Sequence, residues 1–298
     1  MTQTFRPRGP FDLANENAHF GGWPALGGDD GAIVVAFPVE GWDTSAAVVV
    51  RQRSPDEVRL EAHGADGHED RAFAQALAAL SLDVDGRAWP EVGARDARIG
   101  RLQEAYAFLR PVLFSSPYEA AAHFIIGHRI SMKQGRAIRA RMAEELGATI
   151  DVGGEPFHAF PAPDRLLALA DFRGLNATKI ERLHGVAEAA LDGTLDRARL
   201  RSLPAAQALE ELRRIDGVGP FFAAGILNRG AGVVDEITDD DLTKHAVQVA
   251  YELPKRPTQA ETLRLAEQWQ PFRMWAAVLL HVWLRREVGL PRRGGRRR

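Results

Sequence analysis

The chain has 298 residues, 45% hydrophobic and 26% charged, a balance that excludes a disorder-dominated protein and leaves room for two domains. It has no cysteine, which removes disulfides, thiolate zinc sites and iron–sulfur clusters from consideration. The net charge of −2 does not by itself announce a nucleic-acid binder, since such domains are basic overall or carry a basic face.

The start, MTQTFRPRGPFDLANEN, lacks the apolar core of a signal peptide, and no stretch approaches the ~18 apolar residues of a membrane span. A cytoplasmic protein without a membrane partner is therefore expected. Asp12, Asn15, Asn17 and His19 cluster early, and turn or capping duty accounts for them. Segments 31–38, 45–53 and 57–63 are short, rich in β-branched residues and bounded by turn formers, which predicts strands of an antiparallel meander. An amphipathic helix over 69–82 completes a small α/β layer, placing an N-terminal domain at 1–86.

From about Arg87 strand signals vanish and helical periodicity takes over. Helices are predicted over 96–110, 116–126, 131–146, 163–171, 176–191, 205–214, 220–229, 239–252, 258–268 and 272–287, separated by Pro, Gly or capping residues. The fold class is thus α+β and mainly α: a small antiparallel-sheet layer followed by an all-helical region, 87–290, with a basic tail at 291–298. The tail reads as a disordered solubilising end or, alternatively, as a basic patch that touches DNA. Other local basic patches are Lys133 with Arg136, Arg139 and Arg141, and the pair Arg285 and Arg286.

The most informative stretch is LRRIDGVGPFFAAGILNRG, 212–230. Leu212 and Ile215 close one apolar-periodic helix, Gly217-Val218-Gly219 forms a tight turn, and Pro220 opens the next helix. This is a helix-hairpin-helix, within 205–229, and the free amides of its second helix form an anion site suited to a nucleic-acid phosphate. A GxG turn between helices can equally be a plain connection, so the context carries the reading.

Downstream lie Asp235, Glu236, Asp239, Asp240 and Asp241. Three explanations compete: N-capping of a helix, a divalent-metal site, and one catalytic carboxylate beside bound DNA. Adjacent aspartates on a helix diverge, which makes a poor metal cage. Phe221 and Phe222 directly follow the phosphate turn, where aromatics can stack on an extruded base, whereas Trp269, Phe272, Trp275 and Trp283 at helical spacing are as readily core. Ile126-Gly127-His128-Arg129-Ile130-Ser131 joins two helices, either as a solvated connection or as a polar tip that fills the gap left by a flipped nucleotide. The histidines at 63, 68, 158, 184, 245 and 281 show no metal-ligand pairing and read as structural or solvated.

LRRIDGVGPFFAAGILNRG with ITDDDLTKH resembles the hairpin and catalytic-aspartate region of the helix-hairpin-helix DNA glycosylases. FDLANENAHFGGW, IIGHRISMKQGRAI, FPAPDRLLALADFRGLNATKIERLHGVAEAALDGTL and WQPFRMWAAVLLHVW extend the likeness, in order, to the DNA-3-methyladenine glycosylase II branch. The resemblance implies a monomeric enzyme of base excision repair that acts on damaged bases in double-stranded DNA without a cofactor. Asp240 matches the essential aspartate, with Leu242 and Lys244 at the family's spacing and Asp241 as the next choice. Phe221 stands where bifunctional relatives carry a Schiff-base lysine, which implies a monofunctional glycosylase without lyase activity. The resemblance further implies that amides of Gly217, Gly219 and Phe222 grip a phosphate. A monovalent cation would bridge to DNA through the carbonyls of Arg213, Ile215 and Val218. His128 and Arg129 occupy the wedge tip, where the family has glutamine and an apolar or amide residue. Phe221, Trp269, Phe272, Trp275 and Phe20 are the implied walls of the base pocket. Two rivals to excision of alkylated purines are a non-catalytic damaged-DNA binder and a glycosylase with another lesion preference. A metal-dependent nuclease is a third.

Overall fold

The computed structural model describes residues 1–20, 31–107 and 109–289, without the side chains of 17–20. The basic tail, 291–298, lies outside the described residues. Four strands, β1 (Thr2–Phe5), β2 (Ala32–Pro38), β3 (Ser45–Ser54) and β4 (Glu57–His63), form an antiparallel sheet in the order β1-β4-β3-β2. β2, β3 and β4 are the expected meander. The edge strand β1 escapes pattern reading because Thr-Gln-Thr-Phe offers too little alternation to count. Residues Leu13–Phe20 form helix α1, where turn and capping duty alone was expected. Asp12 does cap, accepting from the Asn15 amide at 3.1 Å.

Helix α2 (Glu69–Ala79) lays Phe73, Ala76 and Leu77 on one face of the sheet, against Val48, Val50, Val58 and Leu60. The other face is also buried, which explains why β3 runs Ala-Ala-Val-Val-Val without polar alternation. What covers it overturns the all-helical expectation for 87–290: a second sheet of two strands, β5 (Thr149–Val152) and β6 (Glu155–His158). Its turn is Gly153-Gly154, with φ of +65° and +91°, the positive-φ pair that a two-residue hairpin demands. Ile150 and Ala159 from this unit pack on Ala32, Val34, Ala47 and Val49.

The helices follow as α3 (Trp89–Arg95), α4 (Ala97–Ala105), α5 (Pro117–Gly127), α6 (Met132–Leu146), α7 (Pro163–Leu167), α8 (Ala177–Leu191), α9 (Arg197–Ser202), α10 (Ala205–Leu212) and α11 (Pro220–Gly225). After α11 the chain widens into a π-helical turn, Ile226–Ala231, so the helix expected over 220–229 is α and then π. Then come α12 (Asp241–Ala250), α13 (Gln259–Ala266) and α14 (Arg273–Trp283), the last running into another π-helical turn, Leu284–Val288. The short helices α3 and α9 were not expected, and α4 and α7 stop earlier than periodicity suggests.

Two cores organise this region. One gathers α5, α6, α8 and the hairpin residues Leu212, Ile215, Val218, Ala223 and Ile226. The other gathers α12 and α14 around Trp89, Trp269 and Trp275. Along the chain, Asp240 follows the π-helical turn, whose Ile226, Leu227 and Ala231 belong to the first core, and immediately precedes α12, whose Ala246 and Val247 belong to the second.

Candidate active site and nucleic-acid interface

The hairpin forms as its residue types dictate. Leu212, Ile215 and Val218 are buried anchors, and the Val218 amide donates to Ile215 O at 3.0 Å to close the turn. Gly217 has φ +78°, open only to glycine at low cost. Gly219 is the N-cap of α11, no side chain caps that helix, and a Cβ added at Gly219 would meet nothing within 4 Å beyond its chain neighbours. The first amides of α11, through Phe222, have no intrahelical partner. Arg213, Ile215 and Val218 bring neutral carbonyls to the same turn, a donor set that fits a weakly held monovalent ion better than a divalent one. Among the described residues no group of three His, Asp or Glu could hold a metal.

Asp240 is the N-cap of α12. Its Oδ1 accepts from the Thr243 amide and its Oδ2 from Thr243 Oγ1, both at 2.7 Å. The single hydroxyl proton of Thr243 is thereby committed to Asp240, so the contact at 2.9 Å between Thr243 Oγ1 and His281 Nε2 requires His281 to be the donor. Burial pushes His281 down to about 4, opposed by Asp240 and reinforced by Arg285 and Arg229, which keeps the ring neutral near pH 7. His281, read as merely structural from sequence, thus reaches the carboxylate through one hydroxyl.

The rest of the acidic run disperses. Asp239 pairs with Lys244, Asp241 lies 3.8 Å from Arg256, and Asp235 binds Arg273 at 2.8 and 3.0 Å. Burial raises Glu236. These carboxylates do not converge as a metal cage would require.

The aromatics divide between core and hairpin, as their spacing allowed. Trp269, Phe272 and Trp275, expected as walls of the base pocket, are buried core. Trp269 Nε1 donates to Asp96 Oδ2 at 2.9 Å, and Trp275 meets Trp89 edge-on at 5.7 Å. Phe20's side chain lies outside the described residues. Phe221 is 54% exposed, its ring 6.2 Å from Phe124, while Phe124 stacks on Phe222 at 5.2 Å. Phe222 in turn meets the His128 ring edge-on at 5.6 Å. The structure therefore brings the hairpin, Phe221, Phe222 and His128 together.

At the tip, α5 ends at Gly127, and Ser131 caps α6 through a reciprocal box with Gln134. Between them Arg129 is exposed and left-handed, with φ +58°. Burial lowers the His128 pKa, with Arg129, Arg182 and Lys179 adding to the effect. Lys179 and Arg182, neighbours on one face of α8, were missed by sequence reasoning. Their i, i+3 spacing was the available signal.

A cleft of about 380 Å³ lies between α5, α6, β2 and β6. Arg139 sits within it, bonded to Glu119 at 2.8 Å and lying over the Phe114 and Phe160 rings. Burial pushes its His123 down to about 3, helped by Arg139, Arg136 and Arg229. Phe124, 6.4 Å from Phe114, links the cleft to the hairpin aromatics.

No family model matches the chain. It is 31% identical to DNA-3-methyladenine glycosylase 2 of Escherichia coli over 217 residues, 70% of this chain and 71% of the relative. Identity to the DNA-3-methyladenine glycosylase of Bacillus subtilis is 23% over 207 residues, 67% and 68% of the two chains. The fold superposes on the Archaeoglobus fulgidus 3-methyladenine DNA-glycosylase with a TM-score of 0.77 at 19% identity, covering 97% of this chain and 100% of that one. An 8-oxoguanine glycosylase/lyase of Clostridium acetobutylicum, in complex with duplex DNA, gives 0.71 at 17% identity, covering 96% and 97%. Both structural likenesses concern the fold. With the Escherichia coli relative matched across two thirds of both chains, the chain belongs to the DNA-3-methyladenine glycosylase II family of the helix-hairpin-helix DNA glycosylases.

Proposed function

We propose that this DNA glycosylase is monofunctional, extruding alkylated purines of the 3-methyladenine and 7-methylguanine type from duplex DNA and releasing them by hydrolysis, with Asp240 as its catalytic carboxylate. The observation that carries the reading is the setting of Asp240. A carboxylate oriented by two donors from Thr243 caps the helix that follows the helix-hairpin-helix in the chain, while its acidic neighbours are engaged elsewhere.

The chemistry follows from charge. An alkylated purine is cationic, so its N-glycosidic bond breaks with the electron pair leaving on the base, and little acid help is needed. The sugar becomes oxocarbenium-like at C1′, and an anionic Asp240 beside it stabilises that charge. A water then adds at C1′ and gives up its proton, which the carboxylate can accept. Each carboxylate oxygen retains lone-pair capacity beyond its bond to Thr243.

Extrusion costs a few kcal/mol of stacking. The amides of Gly217, Gly219 and Phe222 would hold the backbone phosphate, with a monovalent ion at the carbonyls of Arg213, Ile215 and Val218. His128 and Arg129 would occupy the vacated place in the duplex. Phe221, exposed beside the hairpin, would stack on the extruded base, and with no amine at that position an imine cannot form. The enzyme would act as a monomer in the cytoplasm, at the nucleoid in a bacterium.

The test is release of free base from methylated duplex DNA with EDTA present. Wild type should release base and leave strands intact until alkali is added, and Asp240→Asn should bind the DNA without release. Turnover by Asp240→Asn would overturn the catalytic assignment, and strand cleavage before alkali the monofunctional one.

A further inference from the structure

Helix α8 touches both loops of the candidate interface with two cations one turn apart. Arg182 lies across the hairpin turn so closely that a Cβ on Gly217 would stand 2.4 Å from its Cδ and 2.7 Å from its Nε. Gly217 thus serves twice: its φ of +78° makes the turn, and its missing side chain gives Arg182 room. Lys179 donates from Nζ to Ile126 O at 2.6 Å, tying the end of α5 two residues before His128. One face of α8 therefore fixes the wedge tip and overlies the phosphate turn.

The only carboxylate paired with Arg182 among the described residues is Asp216, 3.3 Å from Nε and 79% exposed. An exposed pair of that kind contributes ~1 kcal/mol or less and is readily exchanged. In the same turn a Cβ added at Gly219 would point into open space. A guanidinium side chain lying against Gly217 of the hairpin turn, near an uncrowded Gly219 and with a weakly bound counter-charge, matches one chemical group, a phosphodiester.

We propose that Arg182 forms a second grip on the DNA backbone, donating to a non-bridging phosphate oxygen at the hairpin, with Asp216 as its stand-in partner when DNA is absent. The inference rests on the hairpin being the phosphate site. It predicts opposite effects for the two members of one ion pair, since loss of Arg182 removes a contact and loss of Asp216 removes a competitor and a repulsive charge.

The experiment is fluorescence anisotropy of a labelled duplex carrying an abasic-site analogue, titrated with the full chain at a series of KCl concentrations. Arg182→Gln should weaken binding about tenfold and make the slope of log K against log salt shallower by about one. Arg182→Lys should restore the slope, and Asp216→Asn should tighten binding. Gly219→Leu, which fills the open volume, should weaken it. Wild-type affinity and slope in Arg182→Gln and Asp216→Asn, with Gly219→Leu impaired, would overturn the proposal alone. So would weaker binding in Arg182→Gln at an unchanged slope, because a structural role would do that. Unimpaired binding by Gly219→Leu would instead remove the hairpin reading beneath it.

Discussion

His281 stands behind Asp240 with one hydroxyl between them: its Nε2 is 2.9 Å from Thr243 Oγ1, which donates to Asp240 at 2.7 Å. Thr243→Val keeps the amide bond to Asp240 and deletes the hydroxyl. A hydrogen bond to a charged group is worth about 1.5 kcal/mol, so the rate of base release should fall about tenfold. Binding to abasic duplex should not change, because the hydroxyl faces the carboxylate rather than the hairpin. An unaltered rate would mean that Asp240 does not depend on this orientation.

Acid should destabilise the fold through two partly buried histidines. His281 and His123 bind protons near pH 4 and pH 3 when folded, against 6.5 for an unperturbed imidazole. Below about pH 6.5 the unfolded chain takes up protons at these sites and the folded chain does not, so stability falls with falling pH. The loss at His281 levels off near pH 4 and that at His123 near pH 3. Urea midpoints measured from pH 7 to pH 4 should decline in wild type and decline less in His123→Phe. Equal slopes would show that His123 is not held neutral.

Gly225 should resist enlargement. A Cβ there would come 2.3 Å from Phe124 Cζ, so Gly225→Ala must displace the ring that supports Phe221 and Phe222. Overpacking of this kind costs about 1–3 kcal/mol. The urea midpoint should drop at constant m-value.

Phe221 should separate function from stability. Being 54% exposed, it can be cut to alanine with a stability change within about 0.5 kcal/mol. Stacking on an extruded base is worth about 1–3 kcal/mol, and base release should slow accordingly. A large fall in stability with unchanged release would make Phe221 a packing residue.

Legibility followed the range of the interactions. The hairpin is written within a few residues, as Gly217, Gly219 and Pro220, so it could be read directly; a helix start at the acidic run was legible too, but periodicity began it at 239, and that Asp240 is the cap, with α12 starting at Asp241, came only with the fold. For the later aromatics spacing left core and pocket wall side by side. Trp269 is core because its indole N–H finds Asp96, 173 residues earlier, and no local pattern encodes that distance. The strand pair β5–β6 was missed although Gly153-Gly154 announces it, because four-residue strands carry little periodicity between long helices. Lys179 and Arg182 looked like any solvated helix face until the fold set them against α5 and the hairpin.

The sheet enclosed between α2 and the β5–β6 unit has a consequence for anyone wishing to shorten the enzyme. A cut at residue 86 falls in a composition change, yet it would strip Ile150 and Ala159 of Ala32, Val34, Ala47 and Val49. It would also take from the buried Arg110 the carbonyls of Arg8, Pro10, Ser81 and Val84 that its guanidinium binds. The N-terminal layer acts as a splint rather than an appendage. A chain begun after residue 86 should be recovered as aggregate, and a minimal version must keep the splint or repaint the surface it leaves bare with polar residues.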